Sequence, residues 1–158
     1  MNQELFDFSS MSKGIDLTSY TDRQKIEILE WLMAGTGNDI AAELPMRHYV
    51  HGGMYYRELD IPAGVVLTGK VHLLEHVFIL LKGELSIMAD EGMKRITAPA
   101  SFRVKAGTKK IGYAHSDVTC TTIHATKKKN LDKIEKEYFK DSDLAWVGEL
   151  MSTIGVLL

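Results

Sequence analysis

The chain has 158 residues, 45% hydrophobic and 25% charged, proportions that argue against a disordered or fibrous protein and suffice for one buried core. Its 19 basic and 21 acidic residues leave a net charge of -2, so no excess positive field gathers phosphates, and nucleic acid is not expected as the main partner. One cysteine, Cys120, excludes an internal disulfide, and the opening MNQELFDFSS lacks the basic start and apolar run of a signal peptide. No run of about 18 apolar residues offers a membrane span, so the chain is expected in the cytoplasm, away from membranes.

Three zones follow one another within a single structural unit. In residues 1–44, Thr21 or Ser19 caps a helix running through Trp31 to Ala34, with Ile26, Leu29, Leu32 and Met33 at helical spacing. Gly35 and Gly37 stand where a left-handed stop is expected.

Residues 45–126 change pattern: short runs rich in Val, Ile, Tyr, Phe and Thr alternate with Gly, Pro and Asp, as in an all-β sandwich or barrel. The predicted strands are Met54–Leu59, Val65–Leu67, Lys70–Leu73, Val77–Leu81, Glu84–Ala89, Lys94–Ala98, Phe102–Val104, Lys109–His115 and Val118–Ala125. Lys82-Gly83, Asp90-Glu91-Gly92 and Ser116-Asp117 read as the turns between them, giving an antiparallel meander. In residues 127–158 Asn130 caps a helix with Leu131, Ile134 and Tyr138 on one stripe, and Ser142 or Asp143 starts a second through Trp146, Leu150 and Ile154. The apolar tail Ile154–Leu158 requires cover, from the barrel or from a second subunit.

The stretch from Asp60 to Leu85 resembles the first motif of the cupin family: two histidines one residue apart, a glutamate three or four residues on, and a later glycine. With Gly83 on that glycine, Gly64 falls on the opening glycine, Lys70 on the first histidine, His72 on the second and His76 on the glutamate. The family's second motif resembles Pro99 to Lys110, with Gly107 on a glycine, Lys105 replacing a proline and Lys110 standing at the metal-binding histidine. Ile96–Phe102, Ala106–His115 and Thr121–Thr126 further resemble small cupin-like proteins of tailed bacteriophages, a likeness extending from about Pro45 to Tyr138. The resemblance implies a mainly β chain: a cupin-like jelly-roll barrel with an N-terminal helical segment and C-terminal helices, in the host cytoplasm.

It also implies that two of the family's four ligand positions are lysines here. A protonated ammonium has no lone pair to give a metal, so the resemblance assigns no cofactor. A transition metal enters only through His72, His76 and His124, which are either hydrogen-bonded interior histidines or three converging ligands. Lys70 and Lys110, at positions that point inward in the family, would bind a small anion, a carboxylate, phosphate or sugar acid; alternatively both reach solvent at the mouth or pair with Glu75. Lys109 points the other way. His48, His51 and His115 are expected to meet solvent or backbone, and Cys120 to pack. Two functions follow: a non-enzymatic, homo-oligomeric phage module for assembly or binding, or an enzyme acting on a small carbohydrate or organic acid through His72 and His76, with or without a metal.

Overall fold

The computed structural model describes residues 4–36 and 44–156. Helix α1 spans Asp22–Gly35, α2 Leu131–Tyr138 and α3 Ala145–Ile154, and a 3-10 turn covers Phe8–Met11. The strands are β1 (Met46–His51), β2 (Met54–Ile61), β3 (Val66–Thr68), β4 (Val71–His72), β5 (His76–Lys82), β6 (Glu84–Ala89), β7 (Gly92–Thr97), β8 (Ala100–Val104), β9 (Lys110–Ala114), β10 (Val118–Ala125) and β11 (Phe139–Lys140).

All nine predicted strands form, but they do not make a meander. One sheet runs β1-β2-β10-β5-β8 and a second β3-β9-β6-β7, with a two-stranded β4-β11 pair. The antiparallel partners are nested in sequence: β6 with β7, β5 with β8, β3 with β9, β2 with β10. That nesting, folded across two facing sheets, is the jelly roll, the arrangement of cupins. The sheets do not close into the barrel expected from the sequence: among the described residues each hydrogen-bonded order ends in open edges, so the molecule is a cup made of two sheets.

Two expected hairpin turns are therefore corners between sheets. At Lys82-Gly83 the chain passes from β5 in one sheet to β6 in the other, and at Ser116-Asp117 from β9 to β10. The corners touch: the Glu84 amide donates to Ser116 Oγ at 3.0 Å. Gly83 has φ of 88°, and a Cβ there would lie 2.3 Å from the Asp117 carbonyl oxygen, so glycine is required. Strand β1 was not legible in its polar MRHYVH; it joins β2 through Gly52-Gly53, whose φ values of 59° and 77° make the tight turn such ribbons favour.

Helices α1 and α2 start where capping predicts. Thr21 and Gln24 form a reciprocal capping box on α1, and Asn130 accepts from the Lys133 amide to start α2. Helix α1 ends at Gly35 with Thr36 in a right-handed conformation, and Gly37 lies outside the described residues. The α3 helix starts later than expected from Ser142 or Asp143: Leu144 is its N-cap and makes no side-chain cap bond, while the Ala145 amide donates to Asp143 Oδ1. Residues Ile26, Ile28, Leu29 and Leu32 of α1 pack with Val147 and Met151 of α3 against Met88 and Ile111, on the outer face of the second sheet. A separate core between the sheets contains Ile61, Phe78, Leu80, Leu85, Ile87 and Val118, while α2 and β11 bring Ile134, Tyr138 and Phe139 against Tyr55. Leu157 and Leu158 of the apolar tail lie outside the described residues. No helix among the described residues is long and apolar enough to cross a membrane.

Candidate metal centre and its adjoining cavity

Alternation along β2, β5 and β10 places every second side chain on the inner face of the first sheet. Because Thr122 pairs with both Arg57 and Phe78, and Cys120 with both Leu59 and Leu80, inner residues line up in rows across three strands. One step further, His124 stands opposite Tyr55, and His76 is on the same face of β5 as Phe78. His72 arrives from β4, held in place by its pairing with Phe139 of β11.

These three histidines meet. His72, His76 and His124 are 6%, 3% and 0% exposed, and one ring nitrogen from each lies within 4.8 Å of the others. His76 Nδ1 donates to the Leu74 carbonyl at 3.0 Å, which fixes its tautomer and leaves the lone pair of Nε2 free; that buried nitrogen has no partner, nor has His124 Nδ1. His72 Nδ1 is 3.2 Å from His124 Nε2. Nitrogens sharing one tetrahedral zinc ion stand about 3.3 Å apart, given bond lengths of about 2.0–2.1 Å, so this pair is spaced for either a hydrogen bond or a common metal. The three rings are stacked, with interplanar angles of 29°, 28° and 20°; since nitrogen lone pairs lie in the ring plane, common ligation requires ring rotation.

The environment keeps the rings neutral. Burial, with lesser contributions from His76 and Lys110, holds His72 far below the usual imidazole range; burial pulls His76 and His124 down to about 4. Neutral imidazole is the form that ligates a metal. Phe139 presses edge-on against His72 and His124, with centroids at 4.7 and 5.5 Å, closing this end of the cup.

His72 also lines a cavity of about 480 Å³ between the sheets. Lys110 enters it from β9, with Nζ 4.8 Å from the centre of the Phe78 ring; burial lowers its pKa to about 8. Lys70 lies at the rim, half exposed, 3.6 Å from Asp141, so the inward lysine of the expected pair is Lys110. Glu75 is exposed, and among the described residues no ion pair joins it to either lysine. As alternation requires, Lys109 points outward beneath α1. Cys120 is buried in the core and burial raises its thiol to about 11, in keeping with a packing role.

Two groups were not foreseen. Arg57 lines the cavity and lies over the Phe139 ring at 4.5 Å, and Thr122 lines it with a hydroxyl that is buried and unpartnered. Arg57 shares its strand face with Tyr55, Leu59 and Ile61, so alternation in the sequence already carried that signal. Of the histidines assigned to solvent or backbone, His51 is exposed, but His48 bonds Tyr55 at 2.7 Å and His115 bonds Ser86 at 2.6 Å.

No protein-family model matches the chain, and no curated protein is detectably similar to it. Solved structures are similar in fold. A cupin superfamily protein from Desulfitobacterium hafniense is 10% identical, covering 52% of this chain and 77% of its own, with a TM-score of 0.46. The Cnp3 cupin domain of Schizosaccharomyces pombe is 15% identical over 63% of this chain and 74% of its own, also at 0.46. An RmlC-like cupin family protein with a double-stranded β-helix fold from Methanocaldococcus jannaschii is 12% identical over 52% and 80%, at 0.45. These are likenesses of overall fold at low sequence identity.

Proposed function

We propose that this protein holds a divalent transition-metal ion on His72, His76 and His124 at the closed end of the cup, and presents it to a small molecule in the adjoining cavity. The observation that carries this reading is the convergence of three buried, neutral imidazoles, two of them with an unpartnered nitrogen. All-imidazole donors suit zinc, copper, nickel and iron. A bound ion would supply Lewis acidity toward a ligand oxygen. The chain's own residues do the rest: Leu74 fixes the His76 tautomer, Phe139 excludes water, and His72 forms the junction with the cavity. This takes up the enzymatic alternative raised by the sequence, with His124 as the added ligand.

The test is elemental analysis of the full chain after equilibration with zinc, nickel, cobalt and copper and removal of loose ions. About one ion per chain, lost in His124→Ala and His76→Ala, supports the reading; no retained ion, or unchanged retention in both variants, refutes it. A metal-free binding or assembly module, to which the phage-protein resemblance and a homo-oligomeric state belong, is favoured by one observation. The His72–His124 contact at 3.2 Å, with the two rings stacked, pairs one nitrogen of each without an ion.

A further inference from the structure

The cavity carries a charge pattern that the three histidines do not explain. Two carboxylates line it, and each has a cation beside it: Glu30 Oε1 accepts from Lys109 at 2.7 Å while Oε2 is buried without a partner, and Asp141 lies 3.6 Å from Lys70. The two remaining cations are Lys110 and Arg57. Among the described residues Lys110 Nζ has no hydrogen bond or ion pair, only the face of Phe78, and the one side-chain hydrogen bond of Arg57 runs from Nε to the Met46 sulfur at 3.1 Å. The two cations come from opposite sheets, Lys110 on β9 and Arg57 on β2. Between Arg57 and Phe78, whose ring Lys110 faces, lies Thr122 with its unpartnered hydroxyl. An ammonium and a guanidinium, each partly buried and lining one cavity without an ion pair, leave a place there for an anion.

The rest of the wall states what else the partner must be. It is aliphatic and aromatic: Leu59, Ile61, Leu67, Phe78, Leu85 and Ile87. A polyhydroxylated ligand such as a sugar acid would leave hydroxyls desolvated against these side chains without partners. An inorganic oxyanion would satisfy the cations and leave the apolar space unfilled. We propose that the cavity binds a monocarboxylic acid with an apolar body, of the arylalkyl or medium-chain class, its carboxylate between Lys110 and Arg57 and its body along the apolar wall. A cavity of about 480 Å³ is of the size that encloses a ligand of this kind. This site stands on the cavity side chains and is independent of whether the histidines hold an ion.

Calorimetric titration of the purified full chain with 3-phenylpropionate, 3-phenylpropanamide, gluconate and inorganic phosphate tests it. The expected order is phenylpropionate far above the other three, with Lys110→Met weakening phenylpropionate roughly ten- to a hundredfold, the worth of a charge-assisted hydrogen bond. Equal affinity for the amide shows that the cations do not recognise the ligand and overturns the proposal, as does gluconate or phosphate binding as tightly as phenylpropionate. Unchanged affinity in a Lys110→Met protein with an intact circular-dichroism spectrum overturns it as well. Should that variant fail to fold, the acid-against-amide comparison on the unaltered chain decides. Metal content measured on the same samples separates the two readings, since loss of carboxylate binding with retained metal, or the reverse, assigns each failure to its own site.

Discussion

Lys109 and Lys110 are neighbours in the chain and point to opposite sides of the second sheet. Lys110 enters the cup, whereas Lys109 runs beneath α1, where its Nζ donates to Glu30 Oε1 at 2.7 Å and to the Gly69 carbonyl at 2.6 Å. Its side chain is 1% exposed. Because Thr68 Oγ1 also donates to Glu30, this one carboxylate ties α1 to β3 and the loop after it.

A buried pair of this kind is costly to break and cheap to replace as a whole, since removing one partner strands the other charge. Glu30→Gln is expected to lower unfolding stability by about 3 kcal/mol, because it strands the buried Lys109 ammonium, and Lys109→Met by a smaller amount, because the carboxylate it strands retains some solvent contact. The double variant should recover most of the loss. A urea-denaturation double-mutant cycle measures this coupling, and additive losses would show that the pair contributes nothing beyond its separate parts.

If the histidines hold an ion, binding to the folded state alone raises stability by mass action, about 2.7 kcal/mol at a free ion concentration a hundred times Kd. Zinc or nickel should therefore raise the melting temperature of the unaltered chain, and chelator should reverse the rise. In His76→Ala the rise should vanish, because the free Nε2 lone pair is gone. An equal rise in that variant would place the ion elsewhere, for instance on exposed His51.

Tyr55 anchors the C-terminal helix α2. It is fully buried, donates its hydroxyl to Glu135 Oε1 at 2.5 Å, and with that proton committed accepts from His48 Nδ1 at 2.7 Å. Tyr55→Phe keeps the ring against Ile134 and Phe139 but leaves both polar partners short, a loss of about 1–2 kcal/mol. Amide hydrogen exchange should show faster exchange concentrated in residues 131–138, with the jelly-roll strands unaffected. Uniformly faster exchange would show that the hydroxyl supports the whole fold instead.

Much of this was legible in the residues because alternation and capping are local. Thr21 and Asn130 announced their helices, and the opposite orientations of Lys109 and Lys110 followed from strand geometry alone. The nested pairing of β2 with β10 and β3 with β9 was not legible, since it joins residues more than 40 positions apart and no turn marks it. For the same reason the alignment of His124 with His76 was hidden: each is readable as an inward residue, but their meeting depends on register between β5 and β10. Arg57 was overlooked among hydrophobic neighbours whose face it shares.

The ammonium of Lys110 gives the cup a pH signature of known sign. Its pKa falls from an unfolded value of about 10.4 to about 8 in the folded chain, mainly through burial. Near pH 7 both states are protonated and the folded state bears the full cost of the buried charge. Between pH 8 and about 10 the unfolded chain still binds the proton that the folded chain has released, so stability rises with pH in that window. Cys120, raised to about 11 by burial, acts in the opposite direction, since its folded thiol stays protonated after the unfolded one has ionised. Lys94, His72, His76 and His124 are the other charged or titratable groups coupled to Lys110, and they remain in the variant. Comparing the unaltered chain with Lys110→Met removes the shared terms: the variant should be the more stable at pH 7, and its advantage should shrink as pH rises from 8 to 10. A constant difference across that range would mean that Lys110 keeps its proton when folded, with its charge already solvated or paired.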